Sequence, residues 1–448
     1  MRSRSVARVL LLVLVALPHW SAAPAGSFSA FAKAFTTRYA ELGPEPYAMD
    51  IHERLKGVPD AEHAAQEADF FREQQGLLSG FDRTQLRGEE RLLHDLIAYE
   101  IDYQQQRIAL EQRWMKAGRP MPERSLYELP DRAEWYALFV RRYTGTDITP
   151  EQVFALGERE TQRCQREIAS LRKELGFADS ASFQRALADQ QQFLTDTAAV
   201  NAGFARIDST VRTHLQRFVG EMDVPVVHAH QWPNAGPNTP PGIYLGMVDS
   251  TLHTYLFQYN FRNGRYNKRA MGWLYMHEAI PGHHLQSVAR GPAGSGDLRD
   301  QLFYPGTAEG WACYVEYFGQ ELGVYDDPYQ RLGKWEWDLV RSLRLVLDAG
   351  IHYYGWSHER ALAYWKANIA GQDDIAEREV RRVTNWAAQA LSYKVGADRL
   401  QQLRDKMQAA HGAGFSAARF HRAFLDMGQV PMAVVEQDLA ERMGEQDH

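Results

Sequence analysis

Apolar residues recur at helical spacing along most of the chain, and this pattern predicts a mainly α-helical fold. In residues 89–103, for example, apolar side chains return every three or four positions between charged ones. A proline-rich segment at 119–130 ends the first helical region, and a new helix is expected at Thr149, where a capping residue is followed by proline and an acid. Helices are expected within 28–120, 181–222, 327–351 and 375–394.

Residues 224–250 break this pattern. The segment contains several prolines and then residues 242–249, a short run that is typical of a β-strand. An edge strand beside a catalytic helix can pair with an extended peptide, although a purely structural strand in a small sheet is equally compatible with the pattern. His228 and His230 would share one side of a strand, but with no carboxylate nearby they do not indicate a metal site.

The first 25 residues are typical of a signal peptide. Arg2, Arg4 and Arg8 precede an apolar stretch at 9–17 that is too short to span a bilayer, and small residues follow it. An uncleaved anchor is the alternative. Since no cysteine lies in this region, a lipoprotein anchor is not expected. The mature chain, 26–448, is therefore expected to be periplasmic or secreted, without a membrane anchor.

Composition narrows the classes of partner. The net charge of −7 and the pI near 6.2 argue against nucleic acid. Cys164 and Cys313 are the only cysteines, and they either form one disulfide or remain free buried thiols. The mature chain is interpreted as a single helical domain with an N-terminal lobe at about 26–222 and a second lobe at about 223–448.

The strongest chemical signal lies at residues 271–290. His277 and Glu278 are followed by Pro281, Gly282 and two histidines, so the His-Glu-x-x-His pattern of zinc hydrolases is interrupted. Proline at this position clashes with the carbonyl four residues earlier, which predicts a kink or bulge before the second histidine. Ideal helical geometry favours His284 over His283 as a partner of His277, but a broken helix leaves both open.

A third ligand is expected from a downstream helix that opens after Pro305-Gly306. Glu309 lies near its start, and Glu316, seven residues on, shares its face and could orient a ligand histidine. Cys313 is a less favoured ligand, because thiolates suit structural zinc sites better than hydrolytic ones.

Further along the chain, Arg344, Asp348 and His352 form one polar stripe on the 327–351 helix, and such a stripe usually faces solvent. Tyr393 could donate its hydroxyl to a developing oxyanion, or could be a core tyrosine near a helix end.

Four segments resemble a bacterial family known as domain of unknown function 885, whose members are often exported and zincin-like. They are His277-Glu-Ala-Ile-Pro-Gly-His283-His-Leu-Gln286, Glu309-Gly-Trp-Ala, Asp348-Ala-Gly-Ile-His352 and Gln389-Ala-Leu-Ser-Tyr393-Lys-Val-Gly396.

The first string is also similar to the His-Glu-x-Gly-His of helical gluzincin peptidases with two residues inserted. This resemblance implies one zinc ion held by His277, His283 and Glu309, with Glu278 as general base. The resemblance to the domain of unknown function 885 family raises the alternative that Asp348 and His352 line the cleft, where Tyr393 or His352 could polarise the substrate carbonyl. Cys313 departs from the gluzincin pattern, which places an acid four residues after the third ligand.

The combined expectation is a large, mainly helical zincin-like fold, with a small β-sheet beside the metal helix and a cleft between helical lobes. The expected activity is zinc-dependent hydrolysis of peptide or related amide bonds. The alternatives are an exported, non-catalytic protein that binds metal or peptides, and a zinc hydrolase of a non-peptide amide. Helical architecture alone would not distinguish among them.

Overall fold

The computed structural model describes residues 26–43, 50–236, 239–291, 296 and 298–445. The expected signal peptide at 1–25 lies outside the described residues. The α-helices are α1 Phe28–Leu42, α2 Ile51–Lys56, α3 Ala61–Leu78, α4 Gly88–Lys116, α5 Arg132–Thr144, α6 Pro150–Glu174, α7 Ser180–Ala188, α8 Thr197–Val219, α9 Met271–Glu278, α10 His283–Arg290, α11 Pro305–Val315, α12 Pro328–His352, α13 His358–Asn368, α14 Asp373–Asn385, α15 Leu391–His411, α16 Ala417–Met427 and α17 Met432–Glu445. The strands are β1 Phe193–Leu194, β2 Val227–Gln231, β3 Gly242–Asp249, β4 Thr254–Tyr259 and β5 Tyr266–Asn267.

The expected mainly helical class is confirmed. Local sequence explains where several helices begin: α6 opens with a capping box between Thr149 and Gln152 and has proline in its first turn. Helix α12 matches the helix expected at 327–351 and packs along α6. The two helices approach so closely at Gly157 that a Cβ there would lie 2.7 Å from a methyl carbon of Val346 and 3.0 Å from its backbone nitrogen.

The prediction of a single helix at 375–394 is wrong in one respect, because two helices occupy this span. Helix α14 ends at Asn385 and α15 starts at Leu391. Between them Ala388 adopts φ +63°, and its N–H donates to the carboxylate of Asp348 at 3.0 Å. A buried acceptor from a distant helix therefore stabilises a turn that the local sequence does not indicate.

The strand expected at 242–249 is present as β3. It lies at one edge of a three-stranded sheet of order β2-β4-β3, in which β4 runs antiparallel to β3 and parallel to β2. A second sheet pairs β1 with β5. β3 packs against α9 and α10, so the sheet lies beside the two helices that carry the histidine motif.

Helices α11 and α15 cross at glycines. A Cβ on Gly396 would lie 2.0 Å from the carbonyl oxygen of Gly306 and 2.7 Å from Cα of Gly310. Only hydrogen fits between these backbones, and this contact fixes the position of α11 relative to α15.

A continuous apolar core extends from Phe28 to Met443 and includes residues of both expected lobes. Within the described residues, every helix is too short or too polar to traverse a lipid bilayer. Cys164 and Cys313 are both buried and both free, so the disulfide alternative is not realised.

Candidate functional site

The interrupted motif forms a break between α9 and α10 at residues 279–282. The peptide bond before Pro281 is cis, and Gly282 has φ −77° and ψ −133°. A Cβ at Gly282 would lie 2.0 Å from the carbonyl oxygen of His277, so a larger residue does not fit. The indole N–H of Trp311, on α11, donates to the carbonyl oxygen of Pro281 at 2.8 Å. The expected kink is thus a complete break, and α11 supports it.

The break brings His283 to His277, and Glu309 from α11 meets both. Nε2 of His277 and Nε2 of His283 each lie 3.4 Å from Oε2 of Glu309. The two imidazole rings are nearly perpendicular, with centres 4.8 Å apart. Two donor atoms bound tetrahedrally to zinc at 2.0–2.1 Å lie about 3.3 Å from each other. The spacing of these three side chains therefore fits a single zinc ion.

His284 is directed elsewhere. Its Nδ1 lies 3.0 Å from the hydroxyl of Tyr244 on β3, and its Nε2 donates to the carbonyl oxygen of Pro225 at 2.8 Å. Burial lowers the pKa of His284 to about 4, so the ring stays neutral and structural. Of the two histidines that the sequence left open, the structure brings His283 to His277 and Glu309.

The other ring nitrogen of His277 meets Glu316, as expected. Nδ1 donates to Oε1 of Glu316 at 2.9 Å, and Oε2 of Glu316 accepts from Arg341 at 2.7 Å. A carboxylate at Nδ1 fixes the tautomer that presents the Nε2 lone pair to a metal. Burial lowers the pKa of His277, but the neighbouring side chains of Cys313, Glu309 and Glu316 outweigh it and hold this pKa well above its usual value.

A second group of potential ligands consists of His277, Cys313 and Glu316. Burial raises the pKa of the Cys313 thiol, and Glu316 is already neutralised by Arg341. Neither residue lines the neighbouring cavity. The group of His277, His283 and Glu309 is therefore the better candidate for a catalytic metal.

A cavity of about 970 Å³ opens in front of these three side chains. Residues of β3, α9, α10, α11, α12, α14 and α15 line it, together with Asp50 and Glu53 from the N-terminal region. Such a volume suits a small molecule or a short peptide. The second lobe thus supplies most of the wall of the expected cleft.

Glu278 is buried on the cavity wall next to His277. Burial raises the pKa of its carboxyl group, and the charge of Glu309 acts in the same direction, while the two histidines and the backbone of Tyr244 lower it. The net rise brings the carboxyl group closer to the range in which it can exchange a proton near neutral pH.

Tyr393 also lines the cavity, on α15. Its ring stacks on the His277 imidazole at 6.3 Å, and its hydroxyl oxygen accepts from Nη2 of Arg382 at 3.1 Å. Because this bond uses the oxygen as acceptor, the hydroxyl proton is left to donate into the cavity.

The expected positions of Asp348 and His352 are wrong, both as a solvated stripe and as cleft residues. Both are fully buried. Asp348 accepts from the hydroxyl of Tyr136 at 2.8 Å and from Ala388 N–H. Nε2 of His352 donates to the carbonyl oxygen of Val383 at 2.8 Å and its Nδ1 accepts from a backbone N–H. Both ring nitrogens are in use away from the cavity, so His352 does not line the cleft.

The remaining histidines named from the sequence lie outside the site. His228 and His230 are exposed on β2 and belong to no metal-capable group among the described residues. Two contributors were missed: Arg341, which holds Glu316, and Arg382, which contacts Tyr393. Neither arginine has a local sequence signal, because each acts through a residue of another element: Arg341 donates to Glu316 and Arg382 to Tyr393.

Solved structures of the same fold include two bacterial proteins. A protein from Colwellia psychrerythraea described as a putative lipoprotein aligns with a TM-score of 0.67 at 21% identity, covering 93% of this chain and 75% of that chain. A second protein, from Shewanella oneidensis, is described as a putative lipoprotein of unknown function. It aligns with a TM-score of 0.60 at 20% identity, covering 92% of this chain and 83% of that chain.

No functionally curated protein matches the sequence. A family model described as a bacterial protein of unknown function, DUF885, matches residues 102–439. Since this span is more than half of the sequence, the chain belongs to the DUF885 family.

Proposed function

We propose that this protein is an exported, zincin-like hydrolase that cleaves peptide or related amide bonds and uses one zinc ion per chain. One observation carries the proposal. Oε2 of Glu309 lies 3.4 Å from Nε2 of both His277 and His283, and it is a buried atom without a hydrogen-bond partner among the described residues. Buried polar atoms are rarely left unsatisfied, and a divalent cation would satisfy this one.

The donor set fits a catalytic zinc site. His277 and His283 would hold the ion through Nε2 and Glu309 through an oxygen, and three protein ligands are the number that leaves a position for water or substrate. When bound, zinc would lower the pKa of a water molecule and polarise a carbonyl group.

The neighbouring side chains supply proton transfer and orientation. Glu278, with its raised pKa, would accept the proton of the attacking water and deliver it to the leaving nitrogen. Tyr393 would donate its hydroxyl proton to the oxygen on which negative charge develops. Glu316 would keep His277 in the required tautomer.

The edge strand β3 favours an extended peptide as substrate. Gly242, Ile243 and Tyr244 line the cavity, and no described strand pairs with the outer edge of β3. Backbone N–H and C=O groups along such an edge can pair with an extended chain, whereas a small amide would not use them.

Export rests on two supports. Residues 1–25 have the charge and hydropathy of a signal peptide. Both structural neighbours are described as putative lipoproteins, and lipoproteins are a class of exported protein.

The test measures zinc and turnover separately. Elemental analysis of the mature protein should find about one zinc per chain, and His277→Ala and His283→Ala should lose it. Peptide and small-amide pools should be assayed with wild type and with Glu278→Gln, which should keep zinc and lose turnover.

Each outcome has a distinct meaning. A protein that takes up no zinc refutes the proposal. Zinc without turnover of any pool would support the metal-binding alternative. Turnover of small amides alone would identify a non-peptide hydrolase, and full activity in Glu278→Gln would remove its assignment as the base.

A further inference from the structure

One wall of the cavity is strongly basic. Arg344 from α12 and Arg378 and Arg382 from α14 all line it, and the buried carboxylate among them is Glu379. Arg344 donates to Oε2 of Glu379 at 2.7 Å, and Arg378 donates to Oε1 at 2.8 Å. Both oxygens of Glu379 are therefore engaged, and three guanidinium groups share one negative charge.

Arg382 is the one of these three arginines that does not form an ion pair with Glu379. Among the described residues it has no carboxylate within ion-pairing distance. Its Nη2 donates to two neutral acceptors, Oε1 of Gln389 at 2.8 Å and the hydroxyl of Tyr393 at 3.1 Å. Its Nε is buried and has no partner in the described part of the chain. A half-buried cation of this kind lacks the anion that usually accompanies one.

The crowding of positive charge also affects Arg344. Burial lowers its pKa, and the charge of Arg382 lowers it further, although Glu379 acts in the opposite direction. An additional anion at this wall would relieve the repulsion between the two guanidinium groups.

The basic wall lies next to the candidate metal ligands. The guanidinium carbons of Arg344 and Arg382 each lie 5.6 Å from the centre of the Tyr393 ring. The same ring stacks on His277 at 6.3 Å. A group bound at Arg382 would thus be separated from the metal ligands by the width of about one aromatic side chain, a distance that one or two peptide residues can bridge.

We propose that Arg382, supported by Arg344 and Arg378, forms a carboxylate-binding subsite, so that the cavity takes peptides with a carboxylate close to the scissile bond. The inference deepens the proposed function and rests on it for the class of substrate. A guanidinium group binds a carboxylate through charge-assisted N–H···O bonds, and Nη1 of Arg382, a residue of the cavity wall, donates to none of the described residues. The carboxylate is either the C-terminus of a peptide or an Asp or Glu side chain.

The test compares three pools of N-acetylated tetrapeptides. The first lacks acidic residues and has a free C-terminal carboxylate, the second has the same composition and a C-terminal amide, and the third is amidated with one Asp or Glu. Retention by the full-length mature protein is measured by equilibrium dialysis on Glu278→Gln, where bound peptide is not turned over. The same measurement is made after adding Arg382→Met, Arg382→Lys, or the control Arg72→Met, which changes an exposed arginine on α3 paired with Asp69.

The first or the third pool should be retained about tenfold better than the second, which corresponds to about 1.4 kcal/mol. This preference should disappear in Arg382→Met, persist in part in Arg382→Lys, and remain intact in Arg72→Met. Whichever acidic pool is preferred identifies the source of the carboxylate. If Arg382→Met does not fold, the comparison is made with Arg382→Lys alone. A partial loss of the preference for carboxylate-bearing peptides in this variant supports the subsite, and an unchanged preference refutes it.

Equal retention of all three pools, or a preference that survives both substitutions of Arg382, overturns the inference. Zinc content and wild-type turnover are measured independently. A zinc-bound, active protein without the preference would refute the subsite alone. A protein that keeps the preference but binds no zinc would refute the hydrolase alone.

Discussion

Gly396→Ala tests whether the crossing of α11 and α15 positions the candidate metal site. The new Cβ would lie 2.0 Å from the carbonyl oxygen of Gly306 and 2.7 Å from Cα of Gly310. Both obstacles are backbone atoms of α11, so no side chain can rotate to make room. Glu309, the residue before Gly310, must move with the helix.

The size of the effect follows from these distances. Since Cβ contacts under 3.0 Å essentially do not occur, the helices must separate by about 1 Å at this point. Overpacking of this kind costs about 1–3 kcal/mol, and backbone obstacles favour the upper part of that range. Distances between a metal ion and its ligands tolerate deviations of only about 0.2 Å from their usual values, so the shift of Glu309 should also weaken zinc binding sharply.

Gly76→Ala is the matched control. Gly76 lies within α3, and a Cβ there would meet none of the described atoms within 4 Å. This substitution should stabilise the protein by about 0.5–1 kcal/mol, because alanine favours the helix. Urea unfolding followed by circular dichroism and zinc affinity measured by chelator competition would compare the two variants. If Gly396→Ala and Gly76→Ala have the same free energy of unfolding and the same zinc affinity, the close crossing of α11 and α15 does not position Glu309.

Three further predictions concern single residues. Glu316→Gln should lower zinc affinity about 10- to 100-fold without abolishing binding, because the partner of His277 Nδ1 loses its charge; unchanged affinity in chelator competition would contradict this. His284→Asn should keep its zinc, since both ring nitrogens of His284 bind Tyr244 and Pro225; loss of zinc by elemental analysis would contradict the assignment of His283. Burial lowers the pKa of His352 to about 4, so between pH 4 and 6.5 the unfolded chain binds more protons at this residue and stability falls as the pH is lowered. His352→Gln should reduce this slope by up to about 1.4 kcal/mol per pH unit in urea unfolding, and an unchanged slope would show that the ring is not buried neutral.

Much of the fold could be predicted because its signals are local. The span of α12, the strand β3 and the break at Pro281 follow from periodicity, turn residues and proline sterics. Glu309 is expected from its position near the start of the downstream helix, and Glu316 because a helix repeats its face after seven residues. The structure places both against His277.

What the sequence did not reveal depends on distant partners. The conformation of Gly282, which decides between His283 and His284, is set by the close approach to His277 and by Trp311. The polar stripe on α12 is buried because α5 and the turn after α14 supply hydrogen bonds to Asp348. No local pattern distinguishes such a stripe from a solvated one.

The two contacts of the His277 ring have a consequence for how the site is assembled. Glu309 faces one nitrogen and Glu316 the other, and the two residues lie about two turns apart on the same stretch of chain, so the imidazole is held from both sides. Its orientation is therefore specified by folding and needs no ion to select it. In small zinc domains the metal drives folding, but here we expect the chain to complete its fold first and to accept the ion into a preorganised site afterwards.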